Sequence, residues 1–329
     1  MASALLVSEI FPPAVGGSGV LLSNIYSRLR GIDVVAIADD AVEKRPAAGN
    51  SIRLVRMRVR ASHWGVMNPR GLARHLVLAA AIRRHSRRQG CVVHCARALP
   101  EGVSALLSQL TMRGAPIVCW AHGEDIATAL ASRELTALMR AVYRNAGATI
   151  ANSQNTARLV RDLGVPPSLV HVVHPGVDAA RFAPGSAGES IRRRLAPEPG
   201  HVLLSVGRLQ RRKGHDVAMA AMAALEGSHP DLRYVIVGDG EERRRLESLA
   251  AELGVSSRVV FAGEVTDEEL PAYYAAADLF VMPNRRDGDD VEGFGIVFLE
   301  AAAAGVVAIG GRSGGVPEAI EDGVTGLLV

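Results

Sequence analysis

The chain has 329 residues, of which 48% are hydrophobic and 22% are charged, and this balance is typical of a globular protein rather than a disordered one. The length favours two domains, and three cysteines are too few for a disulfide framework. No apolar stretch approaches the ~20 residues of a membrane-spanning helix, and the first residues lack the basic start of a signal peptide. A cytoplasmic protein is therefore expected.

The net charge of +3 is distributed unevenly along the chain. Residues 1–180 carry 21 Arg and Lys against 11 Asp and Glu, whereas residues 181–329 carry 16 against 23. This asymmetry indicates two domains with different partners, and the basic half suits an anionic membrane surface or a phosphorylated lipid. Nucleic acid is not expected as a partner, because the basic half has only sparse aromatic residues to stack against bases.

Short runs rich in Val and Ile alternate with longer amphipathic stretches, which indicates parallel strands covered by helices. Strands are predicted at 4–7, 34–38, 91–94, 116–120, 148–151, 170–173, 201–206, 233–237, 258–261, 279–282 and 306–309. Helices are predicted at 18–30, 70–88, 101–112, 154–163, 214–226, 241–253 and 296–304. The pattern predicts an α/β protein with two doubly wound, Rossmann-like domains, 1–182 and 183–329, that face each other across a cleft.

Two loops of the first half follow predicted strands and carry candidate ligand-binding residues. In FPPAVGGSGV, the glycines Gly16, Gly17 and Gly19 leave room for a ligand near the backbone, and the following helix offers free N–H groups to an anion. In AHGED, His122 lies beyond the carboxyl end of a strand, where it can bond a sugar hydroxyl. A glycine turn needed only for packing is the alternative for the first loop, and a histidine that is merely satisfied by polar neighbours is the alternative for His122.

The loop VGRLQRRKGHD opens the second half with the same succession of strand, loop and helix. Arg208 and Lys213 lie five residues apart, so both can reach one anion, the arginine as a fork and the lysine as a compact charge. The pair can thus neutralise a leaving diphosphate without a metal ion. Arg211 and Arg212 are expected to be solvated.

The stretch DVEGFGIVFLEAAAAG is the strongest motif. It places Glu292 before a helix that starts near Ile296, and Glu300 inside that helix, with Gly293 and Gly295 leading into it. The helix N-terminus would face a phosphate, and the two carboxylates can accept hydrogen bonds from hydroxyl groups. This suits a ligand with a diphosphate in the middle and a sugar at each end. A helix-surface glutamate is the alternative for Glu300.

Together these motifs resemble the family-4 retaining glycosyltransferases of the GT-B fold. The resemblance covers essentially the whole chain and includes HPGVDAARF, VGDGEE and GGVPEAIEDGVTGLL besides the loops above. It implies an enzyme that moves a hexose (mannose, glucose or N-acetylglucosamine) from a UDP- or GDP-sugar to a lipid-linked or glycan acceptor in cell-envelope or polysaccharide biosynthesis. The second domain would bind the donor and the first the acceptor.

The resemblance also implies roles for the candidate residues. Arg208 and Lys213 would stabilise the departing nucleoside diphosphate, and His122 would line the sugar pocket. Glu292 would contact the hydroxyls of the donor sugar and Glu300 the ribose. The remaining donor contacts would come from Gly16, Gly17, Gly293, Phe294, Gly295 and Ile296.

Transfer would retain the configuration of the sugar with the departing phosphate as the base, so that no protein nucleophile, cofactor or metal is expected. Asp287-Gly288-Asp289 has the D-x-D pattern of metal-dependent glycosyltransferases, but Arg208 and Lys213 already supply positive charge, so it is interpreted as an acidic loop. The stretch RRDGDDVEGFGIVFLEA most resembles bacterial enzymes that transfer mannose from GDP-mannose to phosphatidylinositol mannosides. UDP-glucose and UDP-N-acetylglucosamine remain open as donors.

Basic residues of the first half predict a surface for docking to the inner face of the plasma membrane. Residues 70–88 have the pattern of an amphipathic helix with a basic end, which suits anionic lipid, although a solvated helix face is an equal alternative. A second basic stripe alternates along a predicted strand and would share one face. The two groups are Arg83, Arg84, Arg87 and Arg88 in the helix and Arg56, Arg58 and Arg60 in the strand.

The chain ends at Val329, before the further helices with which these enzymes normally continue, so a truncated second domain is expected. A truncated, non-catalytic binder of nucleotide sugars is therefore one alternative, and a nucleotide-sugar epimerase of the same fold is another. A dinucleotide-dependent oxidoreductase is disfavoured, because the GxGxxG pattern is missing.

Overall fold

The apolar runs of the sequence form two parallel β-sheets, one in each of two units, Met1–Pro175 and Gly176–Val329. The computed structural model describes residues 2–12, 17–40, 52–60, 63–110, 114–183, 185, 187–195 and 200–329. The predicted α/β class with two Rossmann-like domains is confirmed. The predicted boundary at 182/183 stays a prediction, as does the cleft between the domains; the helix Ala179–Phe182 packs against other helices of the second unit.

The first unit has a seven-stranded sheet with the order β3-β2-β1-β4-β5-β6-β7. Its strands are β1 (Ala2–Ser8), β2 (Ile32–Ala38), β3 (Ile52–Arg56), β4 (Cys91–Cys95), β5 (Ile117–Ala121), β6 (Ala148–Ala151) and β7 (Val170–Val172). Its helices are α1 (Gly17–Ser27), α2 (Pro69–His85), α3 (Val103–Gln109), α4 (Glu124–Leu130), α5 (Arg133–Asn145) and α6 (Gln154–Asp162), with short helical turns at Ala98–Gly102 and Pro167–Leu169.

The second unit has a six-stranded sheet with the order β10-β9-β8-β11-β12-β13. Its strands are β8 (Val202–Val206), β9 (Arg233–Val237), β10 (Val259–Gly263), β11 (Leu279–Met282), β12 (Val307–Gly310) and β13 (Gly326–Leu328). Its helices are α7 (Ala179–Phe182), α8 (Ala187–Leu195), α9 (His215–Ala224), α10 (Arg243–Glu252), α11 (Leu270–Ala275), α12 (Ile296–Ala303) and α13 (Val316–Ala319), with 3₁₀ turns at Arg211–Lys213 and Ser256–Arg258.

Both sheets are covered by helices on their two faces, which explains why the strands are continuously apolar. Successive strand residues point to opposite faces, so Leu5 and Val7 of β1 belong to one core and Ala4 and Leu6 to the other. In the second unit, the residues of β9 divide between two cores in the same way. The carboxyl ends of the strands are thereby held in a fixed register at one edge of each sheet.

The predicted basic stripe of Arg56, Arg58 and Arg60 along one strand is wrong, because β3 ends at Arg56. Beyond it, the N–H groups of Val59 and Arg60 donate to the Asp39 carboxylate, each at 2.8 Å, instead of pairing with a strand. The Arg56 guanidinium itself donates to the backbone oxygens of Asp39 and Pro12.

The predicted helix 70–88 ends three residues early, at His85. In the part of the chain that the structure describes, no helix combines the length and apolar character needed to span a bilayer.

Candidate functional site

Each sheet has a topological switch point, where neighbouring strands lead to helices on opposite faces and where ligands of open α/β sheets bind. In the second unit, β8 and β11 are neighbours, and the chain connects β8 to β9 on one side and β11 to β12 on the other. The loops that follow β8 and β11 contain Arg208, Lys213 and Glu292. The strand order therefore brings two separate sequence motifs to one place.

The loop after β8 turns tightly through a 3₁₀ helix, Arg211–Lys213, and enters α9 through Gly214. Gly214 has a φ of +74°, and a Cβ atom there would lie 2.1 Å from the backbone oxygen of Pro283, which follows β11. Only glycine permits this approach. The glycine of the pair Lys213-Gly214 therefore allows the loop after β8 to contact the loop after β11.

The loop after β11 is supported from the other side by residues that follow β12. Gly314 has a φ of +60°, and a Cβ atom there would lie 2.1 Å from the Glu292 backbone oxygen. The N–H of Gly315 donates to the same oxygen at 2.8 Å. The GGVPE motif thus fixes the backbone of Glu292. This contact explains why the motif accompanies the stretch that contains Glu292 and Glu300.

The carboxylate of Glu292 is the centre of a cluster of polar groups at this switch point. Its Oε2 atom accepts from Lys213 Nζ at 2.6 Å, Arg212 Nη1 at 2.8 Å and Asn284 Nδ2 at 3.1 Å. Burial alone raises the pKa of Glu292, but the charges and hydrogen bonds of Lys213 and Arg212 outweigh burial and lower it to about 2. Glu292 is therefore ionised at neutral pH.

Arg212 was expected to be solvated, and this prediction is wrong. Its side chain is only 4% exposed and lies between two carboxylates, with Nε 2.9 Å from Asp290 and Nη1 2.8 Å from Glu292. The neighbouring Arg211 is exposed, as expected. The difference arises because a 3₁₀ turn directs consecutive side chains about a third of a turn apart.

Arg208 follows β8 directly and is exposed, whereas Lys213 is buried beside Glu292. The structure therefore places both residues in the same loop but in different surroundings. That the two side chains reach one anion stays a prediction.

The helix α12 begins at Ile296, as predicted, and Gly295 leads into it with a φ of +93°. Phe294 is buried, and so is the backbone turn around Gly293. Glu300 lies inside the helix, where its Oε2 accepts from the hydroxyl of Tyr274 at 2.7 Å. Burial raises the pKa of Glu300, against the lowering effect of that hydrogen bond. Contact with a ribose stays a prediction.

The acidic segment Asp287-Gly288-Asp289 forms a tight turn, since the backbones of Asp287 and Asp290 pair through two hydrogen bonds of 3.0 Å. The Asp290 side chain faces Arg212. Within the described ranges, no three His, Cys, Asp or Glu side chains are grouped so as to hold a metal ion.

In the first unit, Gly16 lies outside the described residues, and Gly17 is the first residue of α1. A Cβ atom at Gly17 would meet nothing within 4 Å, whereas one at Gly19 would lie 2.7 Å from the Ile10 backbone oxygen. Packing therefore requires glycine at 19 and does not explain glycine at 17.

His122 follows β5 and is half-buried, with its ring stacked parallel to that of Trp120 at 6.3 Å. Its Nε2 lies 3.0 Å from the Ala96 backbone oxygen, which can only accept, so Nε2 carries the proton. Burial lowers the pKa of His122, although Asp125 acts in the opposite direction. The neutral ring thus presents Nδ1 as an acceptor, which suits a hydroxyl group.

The switch point of the first unit, between β1 and β4, holds an ion cluster that was not predicted. Arg97 Nη2 lies 2.7 Å from Glu9 and 3.4 Å from Glu101, and Glu101 also accepts from the Glu9 backbone N–H at 2.7 Å. Glu101 is completely buried, and burial raises its pKa to about 6 against the influence of Arg97.

The cluster residues missed from the sequence share one signal. Each lies one to eight residues beyond the carboxyl end of a strand next to a switch point, which is where polar residues gather in parallel sheets. They are Glu9, Arg97 and Glu101 in the first unit and Arg212, Asn284 and Asp290 in the second.

Two family descriptions match the chain, one over each half. Residues 15–181 match "Glycosyltransferase Family 4", and residues 187–329 match "Glycosyl transferases group 1".

Similar proteins include two mycobacterial enzymes named GDP-mannose-dependent alpha-(1-6)-phosphatidylinositol monomannoside mannosyltransferase. The protein from Mycobacterium tuberculosis is 34% identical over the whole chain, and the match covers 85% of that enzyme. The one from Mycolicibacterium smegmatis is 39% identical over 68% of the chain, and the match spans 60% of the length of that relative. The solved structure of Anabaena Alr3699/HepE in complex with UDP and glucose is similar in fold, with a TM-score of 0.79 and 22% identity over 100% of this chain and 86% of that one.

Proposed function

The chain belongs to the glycosyltransferases of family 4, and from this premise we propose that it transfers a hexose from a nucleoside diphosphate sugar to an acceptor hydroxyl. The observation that carries the proposal is the pairing of Lys213 with Glu292 at the switch point of the second unit, next to the start of α12. The cation and the helix N-terminus suit the anionic diphosphate of a nucleotide sugar, and the carboxylate can accept hydrogen bonds from its hydroxyl groups.

In the proposed reaction, the acceptor oxygen forms a bond to the anomeric carbon while the bond from that carbon to the diphosphate oxygen breaks. The departing diphosphate takes the bonding electrons and the proton of the acceptor hydroxyl. The transfer retains configuration, because the acceptor attacks from the face that the diphosphate leaves. Lys213 and Arg208 would stabilise the charge that develops on the leaving oxygen, which is the main contribution the protein makes.

The other candidate residues would position the donor. Glu292 would accept from the hydroxyls of the sugar through its ionised carboxylate, and Glu300 from the ribose. His122 would accept from a sugar hydroxyl through Nδ1, which its neutral state leaves available. The diphosphate would lie against backbone N–H groups at Gly16, Gly17, Gly293, Phe294, Gly295 and Ile296.

We propose a GDP-sugar as donor, with mannose as the sugar, because both mycobacterial relatives are named for GDP-mannose. A UDP-sugar is the second candidate, favoured by the fold similarity to a protein solved with UDP and glucose. Calorimetric titration of the full chain with GDP and with UDP, each with and without magnesium, separates the two. Magnesium-independent binding of GDP alone is expected.

The acceptor would be a mannosylated phosphatidylinositol lipid at a membrane surface, since the named relatives act on phosphatidylinositol monomannoside. The helix α2 supports this, because its surface combines apolar and basic groups. Leu76 and Val77 are 53% and 59% exposed, and Arg84 and Arg87 lie exposed at its end. Such a helix binds an anionic bilayer through both kinds of contact.

Two measurements test the function. Incubation with GDP-mannose and the lipid acceptor should release GDP and give a mannosylated lipid with retained anomeric configuration, whereas an epimerised donor without transfer would contradict the proposal. Sedimentation with phosphatidylglycerol vesicles should fall steeply as salt is added and should be weaker for Arg84→Gln/Arg87→Gln. Failure to bind the vesicles at low salt would rule out docking to an anionic membrane and would leave the proposed transfer reaction untouched.

A further inference from the structure

Arg212 occupies a place between two carboxylates that the proposed reaction does not by itself require. We propose that Arg212 is a positioning residue, which holds the Glu292 carboxylate when Lys213 turns from it to the diphosphate of the donor. This inference rests on the proposed function, since it presumes that Lys213 and Glu292 bind the donor.

The guanidinium of Arg212 connects three side chains at the switch point. Nη1 donates to Glu292, Nε lies 2.9 Å from Asp290, and Nη2 donates to Gln210 at 3.1 Å. The Arg212 backbone oxygen accepts from the Arg285 N–H at 2.9 Å, so the main chain is held to the same loop. A side chain that is 4% exposed and bonded in this way has one orientation available.

Arg212 and Lys213 share a single atom of Glu292. Both cations donate to Oε2, at 2.8 Å and 2.6 Å, and Asn284 donates to it as well. If the Lys213 ammonium leaves for a phosphate, Glu292 keeps a charge-assisted bond from Arg212. Without Arg212, the move would leave a buried carboxylate with no cation, which is strongly unfavourable.

Two consequences follow for a chain that lacks the Arg212 charge. Lys213 becomes the main counterion of Glu292 and is less available to the donor, so donor affinity falls. The carboxylate also loses one of its two stabilising cations, while Asp290 in its own loop adds a negative charge nearby. Protonation of Glu292 then occurs at a higher pH.

The experiment compares Arg212→Gln with Arg211→Gln and Arg212→Lys in the full chain. Arg211 is the matched control, because it is the adjacent arginine, lies in the same 3₁₀ turn and is exposed. Steady-state kinetics with GDP-mannose give the KM and kcat, and titration calorimetry gives the Kd for GDP.

For Arg212→Gln, the KM for the donor and the Kd for GDP are expected to rise by roughly ten- to a hundredfold, because a misplaced contact group costs that order of magnitude. Arg211→Gln should match the wild type. Arg212→Lys keeps a charge but cannot fork between Glu292 and Asp290, so a smaller rise in KM and Kd is expected. This variant serves as the test if Arg212→Gln does not fold.

The pH profile separates positioning from a merely structural role. In the wild type, the acid limb of kcat/KM from Glu292 lies far below neutrality, because Lys213 and Arg212 both stabilise its ionised form. In Arg212→Gln this limb should move to higher pH, and Arg211→Gln should leave it in place. The inference would be overturned if Arg212→Gln lost activity while its acid limb stayed in place and Arg212→Lys were no more active than Arg212→Gln.

Failure of the inference and failure of the proposed function give different results. A wild-type chain that transfers no hexose and binds no nucleotide contradicts the function. A wild type that transfers hexose, beside an Arg212→Gln variant with unchanged KM, Kd and pH profile, contradicts only the role of Arg212.

Discussion

The two switch points are built by the same strand order, yet their charges are arranged differently. In the first unit, one cation, Arg97, lies between two carboxylates, and one of them is completely buried. In the second unit, the carboxylate of Glu292 is shared by two cations, Lys213 and Arg212, and Arg212 also faces the carboxylate of Asp290. Topology therefore decides where polar groups gather, and the side chains decide which charge the place presents.

This difference extends to the ionisation of the buried glutamates. At the first switch point, burial outweighs the single cation and raises the pKa of Glu101 to about 6. At the second, two cations outweigh burial and lower the pKa of Glu292 to about 2. Glu101 therefore gains its charge only as the pH rises through about 6, whereas Glu292 is already ionised well below that pH.

The largest effect is expected from removing Arg97, which lies between the two carboxylates of the first cluster. Arg97→Gln leaves the completely buried Glu101 carboxylate without its counterion, and leaves Glu9 with only the exposed Arg60 at 3.8 Å, so the free energy of unfolding should fall by about 3–5 kcal/mol. Urea unfolding measures this change. The double variant Arg97→Gln/Glu101→Gln should regain part of the loss, because one buried charge is removed with its partner. A loss below about 1 kcal/mol would show that the cluster is well hydrated.

The matching change in the second cluster should affect activity more than stability. Lys213→Ala leaves Glu292 paired with Arg212, so the free energy of unfolding should fall by only about 1.5–3 kcal/mol. Its kcat is expected to fall by ~10²–10³-fold, because stabilisation of the leaving group is lost. Arg211→Ala, one exposed residue of the same turn, is the control and should keep wild-type turnover. Turnover near the wild-type value in Lys213→Ala would contradict the donor site.

The two clusters should also respond to pH in opposite directions. Glu101 has a folded-state pKa raised above its unfolded value, so it favours folding fully below about pH 4.5 and loses this contribution as the pH rises through about 6. Glu292 has a lowered pKa, so its contribution is present above about pH 4.5 and is lost as the pH falls towards about 2.

Denaturation at a series of pH values tests this contrast. Glu101→Gln should remove a fall in stability on the order of 2 kcal/mol between about pH 4.5 and 6, and Glu292→Gln should remove a fall on the acid side instead. Variants that change the curve in the same pH range would contradict the assignment of opposite shifts.

Most of the strands that could be predicted are buried on both faces. The run VVAIA at 34–38 is continuously apolar because helices cover both sides of β2. The two strands that were not predicted, β3 and β13, are outermost strands of their sheets, although β7 and β10 at the opposite edges were predicted. In β3, Arg53 and Arg56 interrupt the pattern, since an edge strand is partly exposed and tolerates charge.

The candidate site was predictable where a motif needs unusual backbone geometry, as in the glycines around Glu292. It was not predictable where identical residues stand side by side. Arg211 and Arg212 are equivalent in the sequence, and only the 3₁₀ turn makes one exposed and the other buried. The Glu9–Arg97 pair joins residues 88 positions apart, so it emerges only from the register of β1 and β4.

The smallest effects are expected from substitutions of Gly17 and Gly19, the glycines that follow β1. Comparing the two variants separates a glycine needed for packing from one that leaves room for a ligand. Gly19→Ala places a methyl group 2.7 Å from the Ile10 backbone oxygen, so the free energy of unfolding should fall by about 1–3 kcal/mol. Gly17→Ala meets open space at the start of α1, so stability should stay within about 1 kcal/mol of the wild type. If a diphosphate approaches the backbone at Gly17, only Gly17→Ala should raise the Kd for GDP in titration calorimetry, because its methyl group occupies the space that the ligand needs. Unchanged GDP binding in Gly17→Ala would mean that the diphosphate does not approach the backbone at Gly17.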